Sequence, residues 1–158
     1  MSKFHSIKIA DIYKETKDCS VLSFEIPQEL KQEFQYKPGQ HLTLKATIDG
    51  EGVRRSYSLC SSPIENKWKV AVKKINGGLF STYVNETLKS GDILEIMPPS
   101  GKFNVEIDTQ KAKNYIAFAA GSGITPILSI IKTHLKSEPN STFKLFYLNR
   151  SVKSIIFK

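Results

Sequence analysis

The chain has 158 residues, of which 40% are apolar and 24% charged, and its formal net charge is +8. That length builds one sizeable core, or a small domain with part of a second, and the composition is that of an ordinary soluble protein rather than a disordered or fibrous one. Only Cys19 and Cys60 are present, with no Cys-x-x-Cys and no Cys/His cluster, so cysteine cannot supply the four ligands of a zinc site or an iron–sulfur cluster and no metal is expected.

No apolar run approaches membrane-spanning length, and the opening MSKFHSIKIADIY lacks a signal-peptide core, so a reducing, cytoplasmic location away from membranes is expected. The positive balance favours phosphorylated ligands, acidic proteins or nucleic acid. The lysines are scattered singly or in pairs, without the stripe or tail that would mark a nucleic-acid footprint.

Residues 4–13 and 19–26 read as two strands, the second closed by Pro27. Pro38-Gly39 signals a turn, after which His41 to Ile48 alternates with Leu42, Leu44, Ala46 and Ile48 on one face. Asp49-Gly50-Glu51-Gly52 then predicts an antiparallel hairpin into the stretch VRRSYSLCSSP, residues 53–63. Further strands are predicted from Trp68 through Val72, from Ile93 to Met97, and through Phe103 and Val105. Many short strands with frequent turns point to an antiparallel barrel or sandwich.

Within the hairpin's second strand, Arg55, Ser56, Tyr57 and Ser58 place a permanent cation, an aromatic face and hydroxyls within four residues. Such a set suits a flat, phosphorylated ligand, because the guanidinium fork matches phosphate and the ring stacks on a planar group. Taken alone, these four residues read first as a plain hairpin strand with an exposed Arg and a half-buried Tyr, because short motif matches arise by chance. One helix is predicted at Ser81, with Ser81 as its N-cap and Gly91 beyond its end; the preceding Gly77-Gly78 exposes amides at a positive helix tip, or serves the turn alone.

After the polar residues 108–113 the composition changes. Tyr115 to Ala120 is a continuous apolar run, predicting a strand buried on both faces. Gly121-Ser122-Gly123-Ile124-Thr125-Pro126 follows, then an amphipathic helix with Thr125 as N-cap and Pro126 first, a strand from Phe143 to Leu148, and a second helix starting at Ser151. A glycine-rich turn between strand and helix is the usual dinucleotide phosphate site, although the third glycine of that fingerprint is replaced by Pro126.

Taken in order, Arg-x-Tyr-Ser, Gly-Gly-x-x-Ser and Gly-x-Gly-x-Thr-Pro resemble the ferredoxin-NADP reductase superfamily, and within it the flavodoxin reductases and the oxygenase reductase components of the phenylacetate-degradation type. The resemblance implies a six-stranded antiparallel Greek-key β-barrel with one capping helix, followed by the first β-α-β unit of a Rossmann-like NAD(P)-binding domain. The implied division is an FAD-binding barrel over 1–107, a linker over 108–113 and the start of the NAD(P)-binding domain over 114–158.

By position, the resemblance implies that Arg55 binds the FAD pyrophosphate with Ser56 beside it. Tyr57 packs on the flavin and Ser58 hydrogen-bonds near its N5. Val72 and Lys73 flank the flavin, and Gly78, Leu79, Phe80 and Ser81 hold its phosphates. Gly121, Ser122, Gly123, Thr125 and Pro126 form the NAD(P)H phosphate loop, with Thr125 near the nicotinamide. Asn149, Arg150 and Ser151 reach the adenosine ribose or a 2′-phosphate. Ser58 and Thr125 are thus the implied catalytic residues.

The implied activity is electron transfer from NAD(P)H through FAD to an acidic ferredoxin, flavodoxin or oxygenase component. A flavin-binding module without nicotinamide turnover is the second reading, since only the first part of the nucleotide domain can be read. A basic barrel binding single-stranded nucleic acid would make the order of phosphate motifs accidental. A truncated second domain is expected to leave apolar surface uncovered, favouring self-association.

Overall fold

The computed structural model describes residues 3–110 and 112–158. Lys111, inside the predicted linker, lies outside the described residues, as do the first two. Six antiparallel strands form one sheet: β1 (His5–Thr16), β2 (Cys19–Glu25), β3 (His41–Ile48), β4 (Glu51–Ser58), β5 (Trp68–Lys73) and β6 (Ile93–Ser100), in the order β4-β3-β6-β1-β2-β5. The sheet curls into a barrel that is not fully closed; a single antiparallel bridge, Leu59 to Val70, links the two ends.

The alternation of β3 directs this curl. Leu42, Leu44, Ala46 and Ile48 are all buried, so the strand's apolar face lines the barrel core as its period of two requires. The hairpin turn is tighter than the sequence suggested: Ile48 already pairs with Glu51, leaving Asp49 and Gly50 as the two loop residues, with φ of 51° and 83°. Two left-handed residues in succession match the right-handed twist of the flanking strands. The sixth strand continues past Met97 to Ser100 in spite of Pro98 and Pro99. The predicted strand through Phe103 and Val105 does not form; its large side chains are exposed, so no packing stabilises a seventh strand.

Helix α1 (Leu79–Glu86) plugs one end of the barrel with Phe80, Val84 and Leu88, the last just beyond its end. Its N-cap is Gly78, not Ser81. Ser81 sits a turn inside, where its hydroxyl donates to Gly78 O (3.2 Å) and accepts from the Ile75 amide (3.1 Å). A Cβ on Gly78 would come within 2.6 Å of Ser81 Oγ and 3.1 Å of Ile75 O, so the turn tolerates only glycine there.

The second part of the chain is a β-α-β unit: β7 (Asn114–Ala120), α2 (Ile124–Ser137) and β8 (Thr142–Leu148), with β7 and β8 parallel and in register from Asn114↔Thr142 to Ala120↔Leu148. The glycine turn is a short 3-10 segment, Gly121–Gly123, and Gly123 is the N-cap of α2. Thr125 and Pro126 therefore lie inside the first turn, and the Thr125 hydroxyl bonds back to Ser122 O at 3.0 Å. The expectation that Tyr115–Ala120 is buried on both faces fails. The described sheet has two strands and α2 covers one face, leaving Ile116, Phe118, Phe146 and Leu148 exposed on the other. At the end of the chain only a 3-10 turn, Val152–Ser154, stands where a helix was predicted; Ser151 and Ser154 cap each other across it.

The two parts share a core. Cys19, Val21 and Ala71 of the barrel pack with Ala119, Ile124 and Ile156. Both thiols are buried and free. Burial raises the pKa of Cys19 to about 11 and that of Cys60 to about 12. At pH 8 the thiolate fraction of each is then on the order of one in a thousand or less. A disulfide reagent at that pH should label neither cysteine in the native chain and both in urea; rapid native labelling would contradict this packing. Among the described residues no helix is long and apolar enough to cross a membrane, and no group of three or more His, Cys, Asp or Glu is placed to hold a metal ion.

Candidate flavin and nucleotide cleft

The segment that follows β4 sets the site. Tyr57 and Ser58 end the strand, and the chain runs on through Ser61 and Ser62, which receive α2: Ser129 Oγ donates to Ser61 O (2.6 Å), and the Ser62 and Thr133 hydroxyls are 2.9 Å apart. A helix held there must start opposite Tyr57 and Ser58. Tyr147 fixes the other side of the glycine turn by donating to Gly121 O at 2.9 Å.

Between the two parts opens a cleft of about 930 Å3, at the upper end of the range for small-molecule sites. Ser56, Tyr57, Ser58 and Lys73 line it from the barrel; Gly121, Ser122, Gly123, Thr125, Pro126 and Arg150 line it from the β-α-β unit. These sequence-predicted residues, far apart in the chain, are therefore brought together. Lys73 reaches across: its Nζ is 4.0 Å from the position a Cβ on Gly121 would occupy. Lys74, Ile75 and Asn76 also line the cleft and were not predicted. Their position directly after the Val72-Lys73 strand end was the available signal.

The cleft wall has Lys73, Lys74 and Arg150 and no Asp or Glu. Lys74 is paired with Glu86, whereas no carboxylate pairs with Lys73 or Arg150 among the described residues. Such a wall favours an anion, in a hollow where field lines concentrate. Asn149 adds a carboxamide whose buried polar atoms lie beside Tyr147 yet make no hydrogen bond of proper geometry with any described residue.

The remaining predicted residues lie outside the cleft lining. Val72 is fully buried and Phe80 is 2% exposed, so neither side chain can meet a ligand. Phe80 instead supports Tyr57, the ring centroids being 5.9 Å apart. Leu79 keeps an exposed side chain, whereas what Gly78, Phe80 and Ser81 can offer is backbone. The Thr82 amide is bonded to Gly78 O, so the amides of the first turn before it precede the helix's own ladder. Arg55 lines a smaller neighbouring hollow of about 380 Å3 with Thr43, Arg54, Ser56 and Met97, and Ser56 belongs to both spaces. Arg55 stays close to Tyr57: burial raises the Tyr57 pKa, and the Arg55 charge pulls it part of the way back.

Residues 6–105 match the oxidoreductase FAD-binding domain family. The chain belongs to that family. The chain is 46% identical over its full length to a subunit of the 1,2-phenylacetyl-CoA epoxidase of Escherichia coli, covering 44% of that protein. It is 39% identical over 96% of the chain to the ferredoxin reductase component of the 3-ketosteroid-9-alpha-monooxygenase of Rhodococcus rhodochrous, covering 42% of it. Among solved structures, phthalate dioxygenase reductase superposes with a TM-score of 0.81 at 30% identity, over 98% of this chain and 46% of that one. The chain thus spans less than half the length of these relatives.

The residues present fit FAD. A ring face is offered by Tyr57, hydroxyls by Ser56 and Ser58, and charge by Arg55 and Lys73. The α1 tip supplies unspent amides and the positive end of a helix dipole. A Cβ at Gly77 or Gly123 would meet nothing within 4 Å, so the backbone at both positions faces open space that a ligand can enter.

Proposed function

We propose that this chain belongs to a reductase that draws electrons from NADH or NADPH through FAD and delivers them to a protein acceptor. The supporting observation is the single cleft shared by Tyr57, Ser58 and Lys73 on one wall and the Gly121–Pro126 turn on the other. FAD, when bound, accepts an electron pair from reduced nicotinamide and releases electrons one at a time. The chain's own part is to hold and orient. Arg55 and the α1 amides take the diphosphate, Tyr57 packs on the flavin, and Ser58 donates a hydrogen bond near N5. Thr125 keeps the nucleotide turn in shape through its bond to Ser122 O, close to where nicotinamide enters; Gly121, Ser122 and Gly123 present amides to its phosphates; Arg150 meets the adenosine end. The division into 1–107, 108–113 and 114–158 follows from these roles.

The names of the relatives, a subunit of an epoxidase and a reductase component of a monooxygenase, favour an oxygenase component as acceptor, directly or through a ferredoxin or flavodoxin. A net charge of +8 speeds encounter with an acidic partner. The exposed Ile116, Phe118 and Leu148 support association through that face, a second copy being one occupant. Two buried free thiols suit the reducing cytoplasm.

The test is an absorbance spectrum of the purified chain after FAD addition and gel filtration, repeated anaerobically with NADH and then NADPH. Retained yellow colour bleached by either nucleotide is expected. Colour that neither nucleotide bleaches would leave flavin binding without turnover, and a colourless chain would defeat the proposal.

A further inference from the structure

We infer that Asn85 is a positioning residue that locks the first turn of α1 to strand β5, so that preference for a diphosphate-bearing flavin over a bare one depends on it. The inference rests on the FAD reading above. Asn85 lies on the buried side of α1, one turn after Ser81, and is 8% exposed. Its neighbours on that side, Phe80, Val84 and Leu88, are apolar, and an aliphatic side chain would continue their stripe. A buried carboxamide is costly unless all its groups are bonded.

Here they are. Asn85 Nδ2 donates to Val72 O (3.0 Å) and to Ser81 O (2.9 Å). Its Oδ1 accepts from Ser20 Oγ (2.8 Å) and from Lys14 Nζ (2.9 Å). Two donors and two lone pairs are the whole capacity of the group. Lys14 Nζ also donates to Asn85 O (2.8 Å), setting a cation near the negative end of the helix. One side chain therefore ties together β1, β2, β5 and the start of α1, and a fully satisfied network of this kind fixes one arrangement rather than several.

The two anchors that matter are Val72 and Ser81. Val72 lies in β5, which the Leu59–Val70 bridge joins to the end of the strand that carries Arg55 and Tyr57. Ser81 lies in the turn whose amides point out of the helix ladder. Through Val72 O, Asn85 and Ser81 O, the end of β4 and the helix tip keep one fixed separation. A diphosphate taken by Arg55 and the α1 amides gains from donors already in place, because little ordering remains to be done on binding. A flavin lacking phosphate has no group to meet those donors and gains nothing from that alignment.

The experiment compares FAD and riboflavin binding, by quenching of flavin fluorescence, in the parent chain, Asn85→Leu and Lys14→Met, each well below its own Tm. Asn85→Leu is expected to weaken FAD binding about tenfold or more, equivalent to losing one charge-assisted contact, while riboflavin affinity stays within about twofold. Lys14→Met, remote from the cleft lining, should lower the same FAD-to-riboflavin ratio about threefold, and it keeps the test alive if Asn85→Leu does not fold. A lower Tm with an unchanged ratio would make Asn85 purely structural and overturn the inference. A parent that binds FAD and riboflavin equally would overturn it too, leaving flavin binding intact. A parent that binds neither would defeat the FAD reading itself.

Discussion

Arg55→Ala should weaken FAD binding by about 10- to 100-fold, the loss expected when a charge-assisted contact to phosphate is removed. Arg55 is exposed on β4, and its Nη1 donates to Arg54 O at 2.7 Å. No carboxylate engages it among the described residues, so most of the guanidinium fork is free for a ligand. Its register partner is Leu44, and Tyr57, two residues on, is opposite Leu42; the cation and the ring thus leave the sheet on the same face. That face leads to α1 through the Tyr57–Phe80 contact. His41→Ala is the comparison, since the His41 ring bonds Ser100 Oγ at 3.1 Å and lies outside both hollows. Flavin titration of the two variants decides: equal retention would remove Arg55 from the diphosphate site.

Gly39→Ala should destabilise the fold by about 3 kcal/mol or more, or prevent folding. Gly39 has φ of +94°, and a Cβ there would sit 1.9 Å from Phe103 O and 3.2 Å from Ile130 Cδ1. The turn itself calls for such a residue: Pro38 precedes it, and Gln40 N–H closes back on Lys37 O at 3.2 Å. The second demand is tertiary. The segment after β6 runs directly over this glycine, and the Asp108 amide beyond it is anchored by Glu138 Oε1 at 2.8 Å. Phe103 O is backbone, so relief requires moving the whole segment together with α2. Gly52→Ala is the control, because Gly52 lies in β4 with nothing within 4 Å of the added carbon; it should stay within about 1 kcal/mol of the parent. Urea unfolding followed by Trp68 fluorescence measures both, and a Gly39→Ala chain as stable as the parent would contradict the close approach.

Much of the barrel was legible because its signals are local. The alternation of β3 and the Asp-Gly turn each act within a few residues, and both hold in the structure. Helix caps were misread for a related reason. Ser81 and Thr125 have the right chemistry for N-caps, but the helices start two or three residues earlier, at Gly78 and Gly123, leaving each hydroxyl to bond back to the turn. The strand predicted through Phe103 failed because β-propensity reports fit to a half-buried surface, and among the described residues no strand pairs with it.

The candidate site divides the same way. The residue types that suit a flavin and a nucleotide phosphate, Arg55 to Ser58 and Gly121 to Thr125, are set by the sequence, since chemistry is a property of side chains and glycine backbones. That the two stretches face each other is decided only when Ser61 and Ser62 receive α2. The same holds for Asn85, which in sequence is one polar residue in an apolar stripe and acquires a role only when Val72, Ser20 and Lys14 converge on it. Long-range contacts of this kind depend on where distant strands are placed, and no local period encodes that placement.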